Sequence, residues 1–260
     1  MGSDLHSEIT GEEGAPVIVF SHALGGDLTM WDRQVPQLID KYRVLRYDLR
    51  GHGRSAQQAE SFGLADLARD VLELIDQHGI QQAHFCGLSL GGMIGQWLGM
   101  HAGNRLLSLV LVDTAPQMGS PEQWKERIEK IEQGGMSAIS DPTMTRWFTE
   151  QFRKREPEVV GHFKSVLEAT SPAGYILCAK VVRDASAAEP DLERYASIDA
   201  PTLVVTGSFD TAAKPAECRA MASRIPKSSY VELTAAHISP VEASEDFTRA
   251  LNDFLESGSG

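Results

Sequence analysis

Apolar and polar positions along this chain follow two different periods. Short apolar, β-branched runs stand at Val17–Ser21, Tyr42–Asp48, Ala83–Cys86 and Leu106–Val112, each with the length and composition of a buried strand. The intervals between them carry helical spacing. The clearest is Gly63–His78, where Leu64, Leu67, Ala68, Val71, Leu74 and Ile75 recur at helix spacing before Gly79 stops the helix. Strands alternating with helices imply right-handed crossovers and a mostly parallel central sheet flanked by helices, an α/β fold. Leu5–Ile9 is a candidate edge strand, and no internal repeat is present.

After Asp113 the pattern changes. Residues 115–195 read as helices alone, rich in Trp124, Met136, Met144, Trp147, Phe148, Phe152 and Phe163, with breaks at Gly134-Gly135 and Ser171-Pro172. Strand signals return at Pro201–Gly207 and Ser229–Leu233, with helices near Pro215–Ile225 and Ala243–Leu255. The expected organisation is a core of residues 1–114 and 196–256 and a helical cap, 115–195, inserted between two late strands. The closing Ser-Gly-Ser-Gly, 257–260, is expected to be a flexible tail.

Composition narrows the class. The chain has 260 residues, 42% of them hydrophobic and 23% charged, which suits one soluble domain with an insertion. No run approaches the roughly 18–20 apolar residues that span a bilayer, and the first residues lack the pattern of a secretory signal. Three scattered cysteines, Cys86, Cys178 and Cys218, make neither a disulfide framework nor a zinc site. A cytoplasmic location is therefore expected. The net charge of −12 argues against nucleic acid or an anionic membrane as a partner.

The chemistry begins at Gly87-Leu-Ser-Leu-Gly91, a G-x-S-x-G run between a strand signal and a helix signal. This is the sequence form of a nucleophile elbow. A serine hydroxyl is a poor nucleophile until it is aimed at a carbonyl and relieved of its proton. The sharp turn aims it, and its crowded backbone requires small residues two positions either side. The helix that follows points its first N–H groups at a developing oxyanion. In hydrolases with such an elbow the partners follow in the order Ser, Asp or Glu, His. Here Asp210 ends the strand-and-turn Pro201–Asp210, and His237 lies in the loop beyond Ser229–Leu233. In a parallel sheet all three leave strands at the same edge, where open α/β sheets bind ligands. The expected roles are Ser89 as nucleophile, His237 as base then acid, and Asp210 as the group that orients the imidazole.

The second requirement is an oxyanion hole. The Leu90 N–H follows the serine, and Leu24, in the loop Phe20–Gly26, is the candidate for the other donor. His22 beside that loop is expected to bond the loop backbone rather than substrate. Asp48-Leu-Arg-Gly-His-Gly-Arg-Ser55 has neither the Lys-Ser/Thr ending of a phosphate loop nor a second metal ligand at helix spacing. His52 and Arg54 are accordingly expected to be structural. Asp113 is the rival to Asp210 as the acid. No dinucleotide, flavin or metal motif is present, so no cofactor and no metal are expected.

With these residues in place, the chain resembles the α/β-hydrolase superfamily over nearly its full length, and within it the bacterial 3-oxoadipate enol-lactonases. The narrower resemblance rests on Leu24-Gly-Gly-Asp-Leu-Thr-Met-Trp31, Tyr42–Ser55, Phe85–Met93 with Gly95–Leu98, Arg146-Trp-Phe-Thr149, Tyr230–Leu233 and Ala236-His-Ile-Ser239. The chain departs from that family's pattern at Ser21-His-Ala-Leu-Gly25, where Ser-Asn-Ser-Leu-Gly is frequent, and at Asp113, where Asn is frequent.

The resemblance implies a role in aromatic compound degradation through the β-ketoadipate route. The implied substrate is a small enol-lactone carrying a carboxylate, opened to a 3-oxo dicarboxylic acid. A small anion in an apolar pocket needs a cation, and Arg146 is the candidate, with Trp147 shaping the wall. The alternative is that Arg146 pairs with a carboxylate of the cap and Trp147 is simply core. Two other readings share this scaffold: a carboxylesterase of different acyl preference, and a non-catalytic ligand-binding receptor.

Overall fold

The structure is a computed structural model that describes residues 5–55, 61–187 and 189–257. Its frame is one seven-stranded sheet: β1 Ser7–Thr10, β2 Val17–Ser21, β3 Arg43–Tyr47, β4 Ala83–Leu88, β5 Leu106–Val112, β6 Thr202–Gly207 and β7 Ser228–Leu233. The strand order is β1-β3-β2-β4-β5-β6-β7. Only β1 is antiparallel, pairing Ser7 with Tyr47 at the edge; every other neighbouring pair is parallel. The inner strands β2 and β6 are buried along their whole length, whereas the edge strands β1 and β7 are largely half-exposed. Burial on both faces is why β2 and β6 read as continuous apolar runs rather than as alternating ones.

Each sheet face carries its own core. On one side Phe85, Leu109 and Leu111 lie under Gly95 of the helix Leu90–His101. On the other, Phe20 packs on Trp31 with ring centroids 4.6 Å apart, and Trp31 packs on Phe247 at 6.2 Å. That phenylalanine belongs to the last helix, Ser244–Ser257. This helix corrects one expectation. It runs through Ser257, whose hydroxyl donates to the Phe254 carbonyl at 2.8 Å, so residue 257 is helical rather than tail. The rest of the expected tail, 258–260, lies outside the described residues.

Between β5 and β6 the chain makes the helices Pro121–Gly134, Ser137–Trp147, Glu150–Arg155, Pro157–Ala169 and Pro172–Ala185. Gly135, at a φ of 69°, and Ser171, as N-cap, mark the two breaks legible in the sequence. Phe148 stacks on Phe152 at 5.1 Å and contacts Phe163 at 5.8 Å, an aromatic group that is continuous with the core of the sheet. Two of these helices' contacts with the sheet domain lie close to the site. At one, Gly174 rests directly on the backbone of Gly51, and the Cys178 thiol lies 3.7 Å from the Arg50 carbonyl. At the other, the Ile238 N–H donates to the Trp147 carbonyl at 3.1 Å. Among the described residues no helix is long and apolar enough to cross a membrane.

The strand order fixes where a site can form. From β2 the chain steps to β3 on one side and then to β4 on the other, so the loops after β2 and β4 diverge and leave a crevice at their carboxyl ends. His22–Gly26 follows β2, and Ser89 follows β4.

Candidate active site

Ser89 occupies the single residue between β4 and the helix Leu90–His101, with φ 56° and ψ −112°. A non-glycine residue at positive φ costs about 1–3 kcal/mol and persists only where its surroundings dictate it. Those surroundings are visible. The Ser89 N–H donates to Val112 O at 2.9 Å, while its carbonyl accepts from Met93 N at 2.9 Å and from Thr114 Oγ1 at 3.0 Å. The tightness of the turn explains its glycines. A Cβ on Gly87 would collide with the Gly91 carbonyl, and one on Gly91 with the Ser21 carbonyl.

The three residues picked from the sequence converge here across long separations. His237 Nε2 lies 3.0 Å from Ser89 Oγ, and His237 Nδ1 lies 2.7 Å from Asp210 Oδ2. All three are buried, with relative exposures of 8% for Ser89 and 4% for both His237 and Asp210. The other Asp210 oxygen accepts from the backbone N–H of Ala212 at 2.7 Å and Ala213 at 3.1 Å. A carboxylate satisfied in this way faces the imidazole in a fixed orientation. It makes Nδ1 the protonated nitrogen and leaves the Nε2 lone pair toward the hydroxyl.

Asp113, the rival acid, does a different job. It is fully buried at the end of β5 and accepts from Gly207 N at 2.8 Å and Ser239 N at 2.9 Å. It thus ties the start of the Asp210 turn to the residue two past His237. Burial first, and the nearby Asp210 charge second, raise its pKa well above the usual carboxylate range.

The first loop is held by two buried imidazoles. His22 Nδ1 faces the Ala23 carbonyl at 2.8 Å and its Nε2 accepts from Leu49 N at 2.9 Å. His52 Nδ1 faces the Arg50 carbonyl at 3.0 Å and its Nε2 accepts from Gly25 N at 3.0 Å. A nitrogen facing a carbonyl must donate and one facing an N–H must accept, so both rings are neutral. Asp48 completes the frame by accepting from the backbone N–H of Leu28 and of Arg54, both at 2.8 Å. The N–H groups of Leu24 and Leu90 form no hydrogen bond among the described residues. Leu24 lines the cavity over Ser89, and the Leu90 amide opens the helix behind it.

The imidazoles carry a pH prediction. Burial lowers the pKa of His22 to about 4 and of His52 to about 3, from the ordinary 6.5. Their stabilisation is complete above pH 6.5. Below it the unfolded chain binds protons that the folded chain refuses, so stability falls as the pH drops toward 4. The melting temperature is expected to fall steadily over that interval, and less steeply in a His52→Gln protein, whose amide does not titrate. A flat profile in the unaltered protein would contradict the neutral acceptor roles.

Above the serine lies a cavity of about 450 Å³. Its apolar walls include Met118, Trp124, Ile139 and Trp147, and its charged groups are Arg127, Lys130, Arg146 and one carboxylate, Glu126. Arg146 is the unusual member. Its buried Nε has no hydrogen-bond partner, and its guanidinium forms no ion pair with a carboxylate among the described residues. Burial and then the neighbouring Arg127 push its pKa down to about 10, so it remains a cation at neutral pH. Arg127 is anchored from beside it, donating to Tyr175 OH at 2.7 Å and to Thr143 Oγ1 at 2.6 Å. Trp147 is both buried and part of the cavity wall. The sequence reading missed Arg127 and Lys130. The signal was present in the face Gln123, Arg127, Lys130 of the helix Pro121–Gly134, whose three- and four-residue spacing turns all three side chains one way.

Residues 16–244 match the family described as alpha/beta hydrolase fold, and the chain belongs to that family. The protein is a hydrolase of this class. It is similar to 3-oxoadipate enol-lactonase 2 of Acinetobacter baylyi, with 35% identity over 246 residues, 95% of this chain and 91% of that one. Among solved structures it is similar to the enol-lactonase from Burkholderia xenovorans LB400, with a TM-score of 0.92 and 40% identity over 97% of this chain and 96% of that one. A thermophilic esterase from Thermogutta terrifontis, solved with malate bound, aligns with a TM-score of 0.89 and 29% identity over 98% of this chain and 94% of that one.

Proposed function

We propose that this protein is a serine hydrolase that opens a small carboxylate-bearing enol-lactone, converting 3-oxoadipate enol-lactone to 3-oxoadipate through an acyl-enzyme. The observation that carries the reading is a half-buried guanidinium, Arg146, with an enclosed Nε and no counter-ion among the described residues, in the same cavity as Ser89 and His237. A cation partly withdrawn from water without a partner is costly, and a substrate carboxylate would complete it. The likeness to named enol-lactonases over nearly the whole chain supports the same substrate class.

In this mechanism Ser89 Oγ attacks the lactone carbonyl carbon as His237 Nε2 takes its proton, and Asp210 steadies the imidazolium. The carbonyl oxygen becomes an oxyanion that accepts from the Leu24 and Leu90 N–H groups; such a donor typically contributes about 10²–10³ in rate. Collapse of the tetrahedral species breaks the ring C–O bond. The leaving oxygen departs as an enolate, needs little help from an acid, and on its way to the ketone takes up the proton that His237 carries, which leaves the imidazole neutral. The substrate stays attached through its acyl carbon. Water, deprotonated by His237, then attacks the ester and returns the Ser89 hydroxyl. Arg146 holds the side-chain carboxylate throughout, with Trp147 as the apolar wall beside it.

A carboxylesterase of other acyl preference is the second reading, favoured by the likeness to the thermophilic esterase. Rates measured side by side for the dicarboxylic enol-lactone, uncharged lactones and simple esters separate the two. The charged lactone is expected to have the highest kcat/KM. Preference for neutral esters would reject the enol-lactone assignment while leaving the serine chemistry in place.

A further inference from the structure

The cap segment that carries Arg146 is fastened to the loop that carries His237, and the fastener is a carboxylate. Glu242 stands half-buried at the end of the short helix Ser239–Glu242. One of its oxygens accepts from Ala236 N, the residue before His237, at 2.9 Å. The same carboxylate accepts from Thr149 N at 3.2 and 3.3 Å and from Thr149 Oγ1. Thr149 ends the run Arg146-Trp-Phe-Thr149, and the Trp147 carbonyl in that run accepts from Ile238 N at 3.1 Å. His237 is therefore gripped on both sides by the segment that supplies the cavity wall. The two backbone contacts, Ala236 N to Glu242 and Ile238 N to Trp147, bracket the imidazole within one residue either way.

We infer that Glu242 is a positioning residue that couples the cap wall holding the substrate carboxylate to the catalytic imidazole. Hydrogen bonds to a carboxylate are roughly twice as strong as neutral ones, and here three donors from two distant loops share one such group. A shift of Arg146 is thereby transmitted to His237, and a misplaced imidazole is transmitted to the wall. The inference rests on the proposed roles of His237 and Arg146, and each half of it has its own readout.

The test uses the full-length protein with Glu242→Gln, whose amide nitrogen cannot accept, and with Thr149→Val and Thr149→Ser. Glu242→Gln is expected to lower kcat on p-nitrophenyl acetate about ten-fold and to raise KM for the anionic enol-lactone by a similar factor, the scale of a modest misplacement. Thr149→Val should reproduce the KM effect, and Thr149→Ser, which keeps the hydroxyl, should restore it. In an Arg146→Met background Glu242→Gln should no longer raise KM, because the wall it positions has lost its cation. A lowered melting temperature with unaltered kcat and KM would reduce Glu242 to a structural tie and overturn the proposal. Additive KM effects of the two substitutions would overturn the coupling. If Arg146→Met alone leaves KM for the lactone unchanged, the carboxylate reading falls. The p-nitrophenyl acetate arm then still decides, since unchanged kcat there refutes the positioning of His237.

Discussion

Ser89→Ala is expected to abolish steady-state turnover of both p-nitrophenyl acetate and the enol-lactone, with kcat falling by about 10⁴–10⁶. The substitution keeps the Cβ and so leaves the turn as it is. Only the hydroxyl 3.0 Å from His237 Nε2 disappears. The proposed oxyanion donors, the Leu24 and Leu90 N–H groups, and the cavity remain, so any residual rate reports what they achieve alone. Ser89→Gly is a companion with the opposite sign on stability. Glycine adopts the φ of 56° without the strain that a side chain bears there, so the inactive protein should melt higher, by about 2–4 °C for each kcal/mol relieved. Substantial turnover in Ser89→Ala would move the nucleophile elsewhere. Absence of turnover in the unaltered protein would favour the receptor reading instead.

Much of this arrangement was legible in the sequence because the relevant signals are local. β2 and β5 fall on the apolar runs Val17–Ser21 and Leu106–Val112 with no shift of boundary, since both strands are buried along their length except at Leu107 and flanked by polar or turn residues. The helix Leu64–Gln77 matches its expected span within one residue at each end because Gly63 and Gly79 bracket a clean apolar stripe. Ser89, Asp210 and His237 could be picked out because an elbow has a short, strict pattern and its partners follow in a set chain order. Glu242 has no such signature. Its bonds to Thr149 span 93 positions, and a glutamate before Ala-Ser reads as an ordinary surface residue. Asp113 shows the same limit from the other side. The sequence marked it as an acid at a strand end, but only packing reveals that its oxygens meet Gly207 and Ser239 rather than the imidazole. The alternative for Arg146, a carboxylate partner within the cap, was equally open from the sequence. No described carboxylate pairs with it.

Arg146→Met is expected to separate recognition from stability. For the carboxylate-bearing lactone, kcat/KM should fall about 10²-fold, the loss that accompanies removal of a charge-assisted contact worth about 1.5–3 kcal/mol, and the loss should appear mainly in KM. Turnover of p-nitrophenyl acetate should fall far less, because that substrate has no charge for the guanidinium to meet. The folded protein, in contrast, should be no less stable and is expected to gain. The guanidinium is half-buried beside Arg127, with its Nε enclosed and no counter-ion among the described residues, so an apolar side chain of similar length removes both a desolvation cost and a like-charge repulsion. A structural arginine behaves the other way, losing stability when its partners are orphaned and affecting all substrates alike. A drop in melting temperature with an unchanged KM for the lactone would therefore assign Arg146 to the framework of the cap. A higher melting temperature together with a raised KM would mean that the chain tolerates an unpaired cation for the sake of the anion it receives.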